Sequence, residues 1–424
     1  MKQIVEIIAK QALLLITGIL AGTLAMIIVY ALPVGRMDTN VRSSMEVFYT
    51  EGVYPQQVPG YKSTQLDNET DAIMLLGAIY DGGGYPAWQQ AMRAARIDFA
   101  DQDACCNELI WYAWENRIPD GETEYSRYWH GYMLWLKPLL LVFDYADIRI
   151  LNMMFQTVLL FLLIKKLTEK GKTRYLLPLA MALIVLNPVA AAMSLQFSSI
   201  YDIVLISMLL ILRNHEKWRA GNRYLYLFFG LGMITAFFDF LTYPMAALCM
   251  PLTLYLILEQ KNWKAGVWKV ILFSLCFGAG YAGMWAGKWL MGSLLLQENV
   301  LEMVLTQFAV HTGNATINGA KLSKLDVILR NLKVLMKWPY LLCFASGMIV
   351  CVKGISLKMV KEHLSMTAPF LIVGVIPFVW IYLTSSHAAW CYWYTYRGFM
   401  ASAFAFFCAL ALLPRKARLC KKPG

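Results

Sequence analysis

QALLLITGILAGTLAMIIVYAL, residues 11–32, carries no charged side chain over 22 positions. A membrane-crossing helix needs about 20 predominantly apolar residues, whereas a signal peptide's apolar region has only about 7–15. The stretch therefore reads as a retained anchor, although Val29-Tyr30-Ala31 loosely fits a signal cleavage site. Comparable apolar runs recur at 150–166, 175–193, 200–212, 224–238, 240–258, 268–291, 338–352, 366–384 and 398–413. Together they predict an all-α polytopic membrane protein with about ten transmembrane helices. Composition agrees, since 59% hydrophobic and 15% charged residues are too apolar a balance for an ordinary soluble chain of 424 residues.

The formal charge of +11 would suggest nucleic acid in a soluble protein. Here the basic residues lie between apolar runs, so no nucleic-acid partner is expected and the excess reads as the positive-inside bias. With the N-terminus inside, segments 1–10, 165–174, 213–223, 259–269, 353–363 and 415–424 carry 22 of the 38 Lys and Arg but only five of the 27 acids. Residues 33–131, between the first two predicted spans, hold seven basic and 15 acidic residues. This asymmetry predicts a multi-pass protein of the cell membrane with both termini cytoplasmic. Residues 1–424 form one membrane domain, and 33–131 form a large extracytoplasmic loop inserted between its first and second helices. YMLWLKPLLLVF, 132–143, is too short to cross. The nine cysteines show neither metal-ligand spacing nor a disulfide framework, and Cys105-Cys106 is vicinal.

Ionisable residues near apolar runs ask for a reason, because charge is costly in hydrocarbon. Asp202, Asp239, Lys288 and Lys137 all fall at predicted outer ends of spans, which favours a polar cavity opening outward over a midplane transport site. In LDNETDAIML, 66–75, a helical reading puts Asp67 and Asp71 on one face with Glu69 elsewhere. Two carboxylates so placed can hold Mg²⁺ or Mn²⁺, or one can act as a general base. Equally, Asp67 or Asn68 can cap the helix that follows, with the nearby acids favouring its positive end. Asp38, in RMD directly after the first span, sits where a carboxylate meets lipid headgroups. YSRYWHGYMLWLKP, 125–138, supplies an interfacial aromatic belt together with Arg127, His130 and Lys137 as phosphate donors. SSHAAWCYWYTYRG, 385–398, embeds His387 and Arg397 among aromatics that can stack on sugar rings. His311, in HTGN, reads as an ordinary outer-loop residue, and Asn314-Ala315-Thr316 spells a glycosylation triplet. No metalloprotease, nucleophile-elbow, P-loop or dinucleotide motif occurs.

One span, a large acidic outer loop and many further spans make the chain resemble the GT-C class of integral-membrane glycosyltransferases. Asp38 and LDNETD stand where that class carries its loop-one acids, although no Asp-Asp or Asp-Glu pair follows the first span. LDNETDAIML, YSRYWHGY, FFDFLTYP and SSHAAWCYWYTYR are also similar to multi-spanning membrane proteins of Gram-positive bacteria. The resemblance implies inverting transfer of a sugar from a polyprenyl-phosphate carrier to an extracytoplasmic cell-envelope glycan or lipid acceptor. It implies that Asp38, or the Asp67/Asp71 pair, takes the acceptor's proton. Arg127, His130, Lys288, His387 or Arg397 would then stabilise the departing lipid phosphate, with Asp239 orienting one of these cations. A divalent metal is compatible with that chemistry rather than required by it. A transporter or flippase of a lipid-linked sugar or polymer precursor is the alternative reading.

Overall fold

The computed structural model describes residues 2–100, 104–259, 262–313, 315–317, 319–355 and 357–414; Asn314 and the basic segment 415–424 lie outside them. Helix α1 (Lys2–Tyr30) leads into six short helices: α2 (Gly35–Ser43), α3 (Met45–Glu51), α4 (Asn68–Ile79), α5 (Ala87–Arg93), α6 (Cys105–Trp114) and α7 (Met133–Leu140). A three-residue antiparallel ladder, β1 (Arg96–Asp98) with β2 (Gly121–Thr123), ties this insertion together. There follow α8 (Tyr145–Glu169), α9 (Leu176–Leu186), α10 (Pro188–Met193), α11 (Leu195–Arg219), α12 (Arg223–Phe238), α13 (Met245–Glu259) and α14 (Trp263–Leu296). The last third holds α15 (Val300–Thr312), α16 (Lys324–Lys333), α17 (Trp338–Val352), α18 (Leu357–Leu383), α19 (Ser385–Trp390), α20 (Tyr392–Thr395) and α21 (Phe399–Leu412).

The protein is an all-α membrane protein. Six stretches are long and apolar enough to cross a bilayer: α1, α8, α11, α14, residues 363–383 of α18, and residues 392–412. Helices α16 and α17, bent by 88° at their junction, count as a seventh if taken together. The predicted spans 224–238 and 240–258 are helices of 16 and 15 residues, and 175–193 is split into α9 and α10. That break has a local cause. Asn187 adopts a left-handed conformation, accepts a bond from Ala190 N, and is followed by Pro188 at the first helical position. The reverse error occurs at 200–212, where the helix runs the full 25 residues from Leu195 to Arg219.

Hydrogen bonds between helix ends define which termini share a level. At the end carrying the insertion, Asp71 in α4 meets the first residues of α11, Lys288 near the end of α14 meets α5, and Ser63 meets Arg397 before α21. At the opposite end, His215 of α11 bonds Tyr224 of α12 and Glu259 of α13, Lys172 after α8 bonds Ile257 O, and Gln11 of α1 bonds Leu225 O. Helices α8 and α11 therefore run in the same direction, with the short α9 and α10 returning the chain between them, whereas α11, α12, α13 and α14 alternate. Helices α12 and α14 cross backbone to backbone: a Cβ at Gly232 would lie 2.1 Å from Phe277 O, and one at Gly280 2.0 Å from Phe229 O. Small residues at such crossings supply dispersion contact where the surrounding lipid removes a hydrophobic drive.

Candidate functional site

The acids of LDNETD are the joinery of the insertion. Asp67 is the N-cap of α4, accepting from Thr70 N at 3.0 Å, and its other oxygen takes the Gln196 side-chain amide. Asp71 faces the start of α11, accepting from Leu195 N at 2.9 Å and Gln196 N at 3.2 Å, and from the Tyr145 hydroxyl at 2.6 Å. Glu69 accepts from the first amides of α6, Cys105 N at 2.9 Å and Cys106 N at 3.0 Å. Three successive acids thus cap three different helices, where anions suit the positive helix end. Asn68 completes the knot, giving its amide to Glu51 and Gly52 O and accepting from Arg149, which itself grips Glu51 through both terminal nitrogens.

The shared face expected for Asp67 and Asp71 exists, since both meet Gln196. Burial pushes the Asp67 carboxyl up to about 7 and that of Asp71 up to about 6. These oxygens do not fit a divalent cation: N–H and O–H donors already point at them, and a cation would have to displace those donors. Among the described residues no group of three or more His, Cys, Asp or Glu is placed to hold a metal.

Several expected ligand-binding groups are structural. Lys288 is buried on the carbonyls of Ala91 (3.2 Å) and Met92 (3.0 Å) at the end of α5. Lys137 likewise donates to Ala78 O in the last turn of α4 at 2.7 Å. Both satisfy carbonyls that a helix C-terminus leaves open. Arg397, fully buried, holds the carbonyls of Trp393, Ser63 and Gln65 and packs its guanidinium 4.1 Å from the Phe197 ring centre. His130 has both ring nitrogens engaged. Because the Tyr125 carbonyl can only accept, Nε2 carries the proton and Nδ1 accepts from the Tyr132 hydroxyl. Burial lowers its pKa to about 3, so it is neutral and no phosphate ligand. Asp38 pairs with Arg42 at 2.9 Å, which also bonds Tyr112 O, Ala113 O and Asn116; Asp38 Oδ1 has no partner.

Arg127 stands differently. It lines a cavity of about 340 Å³ walled by Tyr128, Tyr281, Trp285, Trp289 and Trp380, with Leu241, His311 and Thr384 also in its lining. Three lining groups hold buried polar atoms without a hydrogen-bond partner among the described residues: Arg127 Nε, His311 Nε2 and the Tyr281 hydroxyl. Unsatisfied buried donors cost about 1–3 kcal/mol each, so such a concentration is a reason to look for a ligand. His387 stands edge-on to His311, ring centres 5.2 Å apart, and donates through Nε2 to Leu241 O at 2.9 Å. Leu241 has φ +65°, and Asp239 holds that turn by accepting from Thr242 N and the Thr242 hydroxyl. Burial and the facing His311 lower the His387 pKa to about 4.

Six of the sequence-derived candidates fall into two neighbourhoods, Arg127, Asp239 and His387 beside the cavity and Asp67, Asp71 and Arg397 at the capped junction, while Asp38, His130 and Lys288 are held by the partners given above. Two rings, Phe197 and Tyr394, link Arg397 to His387. Tyr394 lies 6.0 Å from His387 and 5.8 Å from Phe197, on which Arg397 is stacked. His311 and the aromatic wall were underweighted by sequence reasoning, yet Tyr281, Trp285 and Trp289 repeat at four-residue spacing on one helix face. No family model, curated protein or solved structure matches this chain.

Proposed function

We propose that the chain is a membrane glycosyltransferase that moves a sugar from a polyprenyl-phosphate carrier to an extracytoplasmic acceptor. The observation that carries this reading is the cavity, in which unpaired Arg127 and His311 nitrogens meet an aromatic wall. A phosphate accepts from such donors, and aromatic faces suit a sugar ring or an isoprenoid chain. Phe308 lines the cavity yet is 63% exposed, and Leu305 beside it is 60% exposed, so the opening borders an apolar surface of the kind a lipid tail requires.

In this reading both termini and the basic ends of the helices are cytoplasmic, and the 33–131 insertion with the cavity faces out. The acceptor hydroxyl attacks the sugar's anomeric carbon from the face opposite the carrier. The bond from that carbon to the phosphate oxygen breaks, and its electron pair leaves with the lipid phosphate. Arg127 holds the developing charge. Asp67 is assigned the acceptor's proton, because burial holds its carboxyl near neutrality and its charge is felt by Tyr394, the ring that meets His387 beside the cavity. The test is release of free polyprenyl phosphate by purified protein supplied with lipid-linked sugars and membrane extract. Arg127→Gln should abolish release in folded protein, and full release by that variant would refute the reading. Movement of intact lipid-linked sugar across vesicles without release would favour a flippase instead.

A further inference from the structure

A second cavity, of about 460 Å³, lies between α7, α8, α11 and α12 and touches neither the capped junction nor the aromatic cavity. Along α11 its lining runs from Ser199 to Leu210, a rise of about 16 Å at 1.5 Å per residue. Almost all of that lining is apolar, and Phe155, Ile206, Leu210 and Ile234 are each at least 39% exposed. It is therefore a groove open to the side of the bundle, where a transmembrane helix meets lipid.

One carboxylate interrupts it. Asp202 lies seven residues beyond the start of α11, about 10 Å along the helix, and not at its end as the apolar run alone implied. Its Oδ1 is buried without a hydrogen-bond partner, and Gln156 on α8, whose side-chain amide donates toward the carboxyl, keeps an unpartnered Oε1. Both atoms accept hydrogen bonds. No Lys, Arg or His is among the described residues that line the groove. A carboxylate in an apolar membrane-spanning segment is costly unless a cation or donor meets it. Trp135 and Phe238 line the same end of the groove, and their ring faces favour a cation.

We propose that this groove binds an amphiphile bearing a protonated amine, its ammonium on the Asp202 carboxylate and its hydrocarbon tail between α11 and α12. A hydroxyl headgroup would satisfy one acceptor but leave the charge unmatched; a carboxylate or phosphate headgroup would repel it.

The test uses purified full-length protein in maltoside micelles with spin-labelled hexadecylamine, hexadecanol and hexadecanoic acid of equal chain length. The amine should bind saturably at one site per chain, at least tenfold more tightly than the alcohol, with the acid weakest. Asp202→Asn should reduce the amine to the alcohol's affinity and leave the alcohol unchanged. Gly230→Phe, at a lining position with open space beside its Cα, should abolish binding of both. Equal affinity of wild type for amine and alcohol would overturn the proposal, as would an amine preference that survives Asp202→Asn. Either result would make Asp202 an acid that shares its own proton with Gln156. If Asp202→Asn does not fold, the wild-type amine-to-alcohol ratio and Gly230→Phe still decide.

Discussion

Replacing Asp71 by Asn tests whether the acids of the insertion hold helices rather than ligands. Asp71 is fully buried and receives two backbone amides of α11 and the Tyr145 hydroxyl. An Asn can keep one oxygen where Oδ2 meets Leu195 N and Tyr145. Its amide group then faces Gln196 N, donor against donor. One stranded buried donor costs about 1–3 kcal/mol, and losing an anion at a partly buried helix N-terminus costs up to ~2 kcal/mol more. The sum is a destabilisation of about 1–5 kcal/mol, larger for Asp71→Ala, which strands all three donors. Thermal unfolding followed with a thiol-reactive dye is a suitable assay, since Cys105, Cys106, Cys249, Cys276, Cys351 and Cys408 are buried until the fold opens. Asp71→Asn should melt clearly below wild type while reaching the membrane in native form at low temperature. A variant that melts with wild type would refute the capping argument.

Gly280→Ala places its Cβ against the backbone oxygen of Phe229, which cannot step aside, so α12 and α14 must part; a loss of about 3 kcal/mol is expected in the same melt. Lys288→Met keeps the volume but strands the carbonyls of Ala91 and Met92, and should loosen α5 first, visible as early protease cleavage within residues 87–93. Asp67 carries a pH signature: its carboxyl titrates near 3.8 in the unfolded chain and about 7 when folded, so the native state holds the extra proton between those values. Stability from this group is complete below pH 3.8 and is lost as pH rises through 7. Melting temperatures across that window should fall less steeply for Asp67→Asn than for wild type.

Much of the architecture is written in the apolar runs, because each reports a helix that must face lipid or its neighbours. Their lengths are less legible. The run 200–212 looked short since Gln196, Ser198, Ser199 and Asp202 interrupt it, and those residues turn inward to Asp67, Asn152 and the α8 groove. The Asn-Pro break at 187–188 was visible as a dipeptide, but a run of apolar residues on both sides hid it. At the site, Asp67 was readable as a cap because its partner is three residues away. Asp71 was not, because its partners are 124 and 125 residues distant. Lys288 and Arg397 resembled phosphate ligands for the same reason: carbonyls they satisfy, Ala91 and Met92 for Lys288 and Ser63 and Gln65 for Arg397, come from the insertion, far away in sequence. Arg127 gave no stronger signal than they did; its Nε is unpaired, as is that of Arg397, and its place on the wall of the aromatic cavity sets it apart.

The central claim is that the aromatic cavity grips a lipid phosphate while a sugar leaves it. Its most direct test is single-turnover release of polyprenyl phosphate from a panel of radiolabelled polyprenyl-phosphate sugars, comparing wild type with Arg127→Gln, Asp67→Asn and Asp38→Asn. The account predicts release by wild type and by Asp38→Asn, and none by folded Arg127→Gln or Asp67→Asn. Undiminished release by Arg127→Gln would contradict it, because the cavity would then have no part in the chemistry.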